Sequence, residues 1–276
     1  SKTKRKKDGV FYTPKYITKY IVENTVGKLC EEKKVELGIV EEDYFTDKKR
    51  QQKTKLALLQ KLEDYRTWLH QITIIDPACG SGGMLTESQN FIKDEDGEIK
   101  AKGDVLLYGK EINDETYAIC KSDMMIKGNN PENIKNGSTL SVDDFAGIKF
   151  DFMLSNPPYG KSWASEQKYI KDGKDVIDSR FIVNLSDYWG NKSDVDATPR
   201  SSDGQLLFLM EMVGKMKPSS SNGIGSRIAS VHNGSSLFTG DAGGGESNIR
   251  RYIIENDLLD ASIQLPNKLF YNTGIT

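Results

Sequence analysis

The sequence predicts an α/β fold: a doubly wound, mostly parallel sheet with helices on both faces, preceded by a helical extension. Three observations predict it. From residue 72 onward, short apolar runs alternate with helical stretches. The first of those runs ends in a Gly-rich turn that opens directly into a helix. Residues 14–70, by contrast, carry their apolar side chains at helical spacing.

Taken in order, residues 1–8 are a basic arm expected to be disordered. Residues 9–71 form the helical extension. In it, Ile17, Tyr20, Ile21, Val26 and Leu29 mark one stripe, and Leu56, Leu58, Leu59, Leu62, Tyr65 and Leu69 a second. The charged stretch Glu31–Lys55 between them reads as a solvated helix or loop. Residues 72–276 form the main domain. Its strands are expected at Ile72–Asp76, Val105–Tyr108, Asn133–Lys135, Phe150–Leu154, Arg227–Val231 and Leu258–Gln264. The helices between them run from the Gly-rich turn to about Phe91, then over Asp114–Lys127, Gln205–Met216 and Ser247–Glu255. Ligands of such sheets bind outside the carboxyl ends of the strands. Residues 157–204 interrupt the alternation with a long polar stretch holding Trp163, Tyr188 and Trp189, read as a lid-like insertion or as disorder. Gly240–Gly245 reads as a flexible loop capping the helix from Ser247 rather than a second phosphate cradle, because it has no Lys and is flanked by acids.

Composition narrows the function. The 276 residues include 37% hydrophobic residues and 25 glycines, which excludes collagen, a disulfide mini-protein and a fully disordered chain. No apolar run reaches the roughly 18–20 residues of a membrane span, and no apolar segment of a secretory signal follows the basic arm. The three cysteines, Cys30, Cys79 and Cys120, are widely spaced, which fits a reducing cytoplasm better than disulfides or zinc. With only His70 and His232, a His-based metal centre or a Ser–His hydrolase is disfavoured, and no metal is expected. The net charge is −2, and five of the 38 basic residues sit in the first seven positions. The rest of the chain sets 33 basic residues against 40 acidic ones, a net −7, whereas a stand-alone nucleic-acid binder is expected to be basic.

Four segments could carry chemistry. Asp76-Pro77-Ala78-Cys79-Gly80-Ser81-Gly82-Gly83 ends the first strand, and its glycines permit a tight turn and close approach of a ligand to the backbone. Such turns serve nucleotide, flavin and methyl-donor sites alike; this one lacks the Gly-Lys-Ser/Thr ending of a P-loop. Glu111, followed by Ile112, ends the second strand, where a carboxylate can accept from both hydroxyls of a ribose. It lies 28 residues beyond Gly83, the excess over about 20 being the polar insert 93–100. Asn156-Pro157-Pro158-Tyr159 follows the fourth strand. Two prolines stiffen the turn and free its carbonyls, so the Asn156 side-chain oxygen and the Pro157 carbonyl can both accept from one exocyclic amine. Such acceptors localise a lone pair otherwise delocalised into an aromatic ring, and Tyr159 offers a face for an extruded base. Last, in Gly9-Val10-Phe11-Tyr12-Thr13-Pro14-Lys15, Thr13 is placed as N-cap and Pro14 as first residue of the opening helix.

In this order the segments resemble the gamma-type, adenine-specific DNA methyltransferases, and among them the modification (M) subunits of type I restriction-modification systems. The stretches 76–85, 109–121, 149–160, 201–208, 231–240 and 265–275 carry the resemblance. It implies a Rossmann-like, class I S-adenosylmethionine-dependent methyltransferase fold. It also implies S-adenosylmethionine as cofactor, duplex DNA as substrate, and methylation of adenine on its 6-amino group. Partners would be a specificity (S) and a restriction (R) subunit in a multi-subunit, cytoplasmic complex. By position, Phe11, Tyr12, Thr13, Pro14 and Lys15, with Ser81, Gly82 and Gly83, border the methionine end of the cofactor; Asp76, Gly80, Glu111 and Ile112 complete its site. Asn156 to Tyr159 hold the target base, and Phe270 and Tyr271 are further stacking candidates.

Three departures accompany the resemblance. The cofactor motif stands almost at the start of this sequence, where such subunits are expected to carry a helical region ahead of it, and the span from Pro14 to Asp76 is long, more like the fused methylases of single-chain restriction enzymes. Ser138 stands where relatives carry Asp or Asn, so Asp143 or Asp144 either takes over an adenine-ring contact or is a surface acid. The chain ends at Thr276, ahead of an expected apolar strand, so a catalytic core with an incomplete, association-prone sheet edge is expected. Two other readings are a methyltransferase for a protein glutamine or an RNA base amine, and a non-catalytic scaffold of a restriction complex.

Overall fold

The computed structural model describes residues 13–45, 49–93, 105–219, 225–266 and 269–270. The basic arm, Phe11, Tyr12 and Tyr271 lie outside them.

The chain enters on α1 (Lys15–Val22), whose N-cap is Pro14, one position later than the sequence reading places it. Pro14 is extended, and its carbonyl accepts from the amides of Ile17 and Thr18 at 2.9 and 3.1 Å. A proline needs no amide donor in that role, so the helix starts after it rather than on it. A π-turn (Glu23–Gly27) leads into α2 (Lys28–Glu36). A Cβ on Gly27 would sit 2.7 Å from the Phe91 ring, so the glycine lets the helix after the first strand pack close. α3 (Gln52–Leu69) buries Tyr65 and Leu69, while Leu56 and Leu59 of the expected stripe are exposed. The apolar stripe contacts the domain only through its C-terminal turns.

The main sheet has five parallel strands: β1 (Thr73–Asp76), β2 (Leu106–Glu111), β3 (Ile134–Asn136), β4 (Phe152–Ser155) and, after the insertion, a strand at Arg227–Ser230. Their spatial order is β3-β2-β1-β4 and then that last strand, so the strand order, though not the strand direction, reverses between β1 and β4. The crevice at such a switch point is where ligands of open α/β sheets bind. Side-chain alternation divides the core. Ile74, Phe152 and Leu154 face a cluster with Val22, Val26, Leu29 and Leu85, whereas Ile75 and Met153 face Phe145, Phe150 and Met212. Two helices, α4 (Gly83–Lys93) and α5 (Asp114–Ile126), follow β1 and β2. Asn113 caps α5 by accepting from the Thr116 amide at 2.9 Å.

The insertion 157–204 is folded rather than disordered. It holds a short helix α6 (Gln167–Ile170) and two antiparallel hairpins, β5 (Lys171–Asp172) with β6 (Asp175–Val176), and β7 (Ile182–Ser186) with β8 (Lys192–Asp196). Trp163, Ile170, Phe181, Val183 and Leu185 form its own core. That core packs on α7 (Gln205–Gly214) and, beyond strand β9 (Arg227–Ser230), on α8 (Gly245–Glu255). Of the insertion's core residues only Val183 and Leu185 lie on a strand, alternating inward along β7; Ile170 ends α6 and Phe181 ends a 3-10 turn. The capping loop is tighter than expected: α8 begins at Gly245, and a side chain there would collide with the Thr198 carbonyl.

One expected strand is absent. Residues 258–264 have the alternation of a strand, but they form an irregular, largely exposed segment with Leu259 and Ile263 in solvent. Strands are stabilised by ladder partners rather than by pattern, and this segment pairs with no strand among the described residues.

Candidate active site

The carboxyl ends of β1, β2 and β4 bring three of the predicted segments together. At the end of β1, the buried Asp76 carboxylate accepts from the Ala78 amide at 2.9 Å and the Ser155 hydroxyl at 2.7 Å. Burial nevertheless pushes its pKa up to about 7, and those two hydrogen bonds oppose the rise. The turn then curls over β2, with the Cys79 amide donating to the Lys110 carbonyl at 3.0 Å. Gly80 and Gly82 take φ of +54° and +88°, which only glycine adopts freely.

Glu111 reaches this turn from the end of β2. One carboxylate oxygen accepts from the Gly80 amide at 2.9 Å, and the other from the Asn113 amide at 2.7 Å. Each oxygen keeps a further lone pair. Desolvation raises this carboxyl above the usual range, against the pull of the same backbone donors. Ile112, next in sequence, stands 51% exposed beside it. Ser81 and Gly83 lie at the mouth of the turn, where a Cβ on Gly80 or Gly83 would meet nothing within 4 Å.

Asn156 follows β4. Its Nδ2 donates to the Thr13 hydroxyl at 3.0 Å, across 143 residues of sequence. Its Oδ1 is buried and has no hydrogen-bond partner. Pro157 is buried and Pro158 half-buried. The Tyr159 side chain is 5% exposed, and burial pushes its phenol up to about 12.

Other residues take other places. Lys15 points to solvent, Thr13 and Pro14 are half-buried, and Phe270 is half-buried. Asp143 pairs with Lys215 at 2.7 Å and Asp144 with the buried Lys110, and both acids remain partly exposed. The Ser138 hydroxyl accepts from the Leu140 amide at 3.3 Å. Among the described residues no cluster of three or more His, Cys, Asp or Glu could hold a metal ion, and no helix is long and apolar enough to cross a membrane.

Sequence reasoning passed over a polar network that holds the Asn156 loop from behind. The Gly160 amide donates to Asp203 at 3.0 Å, Asp203 accepts from Gln205 Nε2 at 2.7 Å, and Gln205 Oε1 accepts from the Asn233 amide at 2.9 Å. The His232 ring shares Gln205 Oε1 at 3.2 Å, and burial depresses its pKa to about 4, so it stays neutral. It also passed over Arg180 of the insertion. Arg180 donates to the Thr139 and Leu140 carbonyls at 2.8 and 3.3 Å and pairs with the buried Glu211 at 2.9 Å. Thr139 in turn donates to the Pro77 carbonyl at 2.5 Å, which links the insertion to the Gly turn.

Residues 58–276 match the N-6 DNA Methylase family. Over 201 residues the chain is 32% identical to the type I restriction enzyme MjaVII methylase subunit of Methanocaldococcus jannaschii, which covers 72% of this chain and 30% of that protein. It is 28% identical over 204 residues to the HindI methylase subunit of Haemophilus influenzae, covering 73% of this chain and 39% of the relative. The chain thus spans roughly a third of the length of these relatives. The crystal structure of a type I restriction-modification methyltransferase subunit from Streptococcus thermophilus superposes with a TM-score of 0.54 at 25% identity, over 75% of this chain and 38% of that one.

Proposed function

The chain belongs to the N-6 DNA Methylase family, and from that premise we propose that it transfers a methyl group from S-adenosylmethionine to the 6-amino nitrogen of an adenine flipped out of duplex DNA. In this reading it is the catalytic core of a modification subunit, working with a specificity subunit that reads sequence and a restriction subunit that cleaves.

The residues fit the donor. The open space over Gly80 and Gly83 admits a ligand against the backbone, Glu111 keeps lone pairs for two ribose hydroxyls, and the exposed Ile112 offers an apolar face for a purine. Gly80, Ser81, Gly82, Gly83 and the segment around Thr13 and Pro14 flank its methionine end. When bound, the donor supplies an electrophilic methyl group on a sulfonium centre.

One observation carries the reading: the orphaned Oδ1 of Asn156 at the carboxyl end of β4. A buried acceptor without a donor costs roughly 1–3 kcal/mol, and such a debt is retained where a ligand settles it. The amine of an extruded adenine brings two N–H donors. Oδ1 takes one and the Pro157 carbonyl the other, which localises the nitrogen lone pair and aligns it for in-line attack. Catalysis on this account is mostly alignment. As the N–C bond formed, the S–C bond of the donor would break to leave a neutral thioether. The proton shed by the methylated nitrogen would pass to solvent, so no charged base is needed at the amine.

The test is transfer of labelled methyl to DNA, RNA and protein, with the product nucleoside identified. N6-methyladenine in DNA is expected. Asn156→Ala should reduce the rate by on the order of 10²–10³, the usual loss for one aligned polar group, while donor binding by calorimetry stays within about twofold. Label in protein alone, or DNA methylation that survives Asn156→Ala, sinks the reading.

A further inference from the structure

We propose that Thr13 is a positioning residue for Asn156, its hydroxyl holding the amide so that Oδ1, and not Nδ2, meets the acceptor amine. The inference rests on the adenine-methylating reading above but adds a role that cofactor contact alone does not give. The observations are a pair. Asn156 Nδ2 donates to Thr13 Oγ1 at 3.0 Å, and the other end of the same amide, Oδ1, is buried and unpartnered.

An asparagine amide is nearly symmetric in shape and opposite in hydrogen-bonding sense at its two ends. A base amine presents N–H donors. An amide turned the wrong way would set donor against donor, and an amide free to rotate about χ2, a broad and shallow torsion, would be ordered only as the base arrives. With its Nδ2 already placed on Thr13, the amide meets the base with its acceptor foremost. The backbone around Thr13 is itself fixed, because Pro14 caps α1 and α1 buries Ile17, Thr18 and Val22 in the domain. The hydroxyl is therefore delivered by a rigid element. The same segment is expected to flank the methionine end of the donor, so one short stretch would set both the donor's reactive end and the acceptor's orienting group.

The experiment compares Thr13→Val, which keeps the shape and removes the hydroxyl, with Thr13→Ser, which keeps the hydroxyl. Both are measured in the whole modification complex, as single-turnover methylation at saturating S-adenosylmethionine and as donor Kd by calorimetry. Thr13→Val should slow the rate at saturating donor by about tenfold, the rate equivalent of one hydrogen bond's worth of alignment, whatever it does to donor Kd through its place beside the methionine end. Thr13→Ser should recover most of that rate. The positioning role is overturned if Thr13→Val weakens donor binding and leaves the saturated rate intact, because Thr13 is then a cofactor contact. It is equally overturned if Thr13→Ser is as slow as Thr13→Val. If the parent complex puts no methyl on adenine, the functional reading falls first and takes this role with it, a failure visible before any variant is made.

Discussion

A pair of glycine substitutions in one turn separates the two reasons for glycine there. At Gly82 the backbone has φ +88°, and an added Cβ would lie 2.9 Å from Cys120 Sγ and 3.4 Å from Met124 Cε. Cys120 and Met124 are fully buried on α5, so neither can step aside into solvent. Gly82→Ala therefore incurs a left-handed backbone cost of about 1–2 kcal/mol and an overpacking cost of about 1–3 kcal/mol, together about 2–5 kcal/mol. At Gly80, φ is +54° but the added Cβ would meet nothing within 4 Å. Gly80→Ala incurs only the backbone part, about 1–2 kcal/mol. Against a domain stability of about 5–15 kcal/mol, the first change is severe and the second is tolerable. Urea unfolding at neutral pH, read as a midpoint change at constant slope, measures both.

A double variant completes the argument. Cys120→Ala removes the sulfur that the new methyl strikes, so Gly82→Ala made in that background should cost only the backbone part. The coupling between the two sites should be about 1–3 kcal/mol in the relieving direction. Donor binding should order the variants oppositely: Gly80→Ala places its methyl in the open space proposed for S-adenosylmethionine and should weaken binding more than its stability loss suggests. If Gly82→Ala costs no more than Gly80→Ala, or Cys120→Ala relieves none of it, the packing derived for this turn is wrong.

Two further expectations rest on buried charge. Burial depresses His232 to about 4 from an ordinary 6.5, so between those values the unfolded chain binds the extra proton; the stability this neutral ring permits is complete above pH 6.5 and is lost as pH falls toward 4, by about 3 kcal/mol in all. Asp76, raised from 3.8 to about 7, acts the other way, its contribution being lost as pH rises through 7, so the effect of His232 should be read as the pH dependence of the stability difference between the protein and His232→Gln; a flat difference from pH 4 to 7 contradicts the assignment. Arg180→Ala strips the buried Glu211 of its 2.9 Å partner and leaves Lys215 at 3.4 Å, which should cost about 3–5 kcal/mol in urea unfolding. Adding Glu211→Gln should return part of that loss, and no recovery would count against a stranded carboxylate as the cause.

What the sequence made legible was what is local. β1 and its turn, the Glu111 carboxylate and the Asn156 turn each sit within a few residues of a strand end, so period-2 alternation and a Gly or Pro signal locate them together. What it hid depended on partners distant along the chain. The insertion hid its fold because Trp163, Ile170, Phe181, Val183 and Leu185 are too sparse to mark a core until the hairpins bring them onto α7 and α8. The strand expected at 258–264 failed for the converse reason, a correct pattern lacking a ladder. The Thr13–Asn156 bond spans 143 residues, and the Gln205–His232 contact spans 27. No spacing rule reaches either.

Charge, which first counted against a nucleic-acid function, takes on a physical sense in this architecture. Lys110, Lys215 and Arg180 are all buried or nearly so, and each is paired with an acid inside the fold. Cations committed to internal ion pairs cannot neutralise phosphates; each pair takes an acid out of play as well, so the net charge is unaltered while fewer cations are left for phosphate contacts. Phosphate contacts supply most sequence-independent affinity for DNA, whereas presenting one amine to one methyl group demands alignment and needs no field. Arg180 also donates to the Thr139 carbonyl, and Thr139 donates to Pro77 at the head of the Gly turn, contacts that on the proposed function would support that alignment. On the proposed function, basic charge spent on rigidity here has to be supplied for DNA by a partner, and methylation by this chain should therefore depend on that partner far more steeply at high salt than at low.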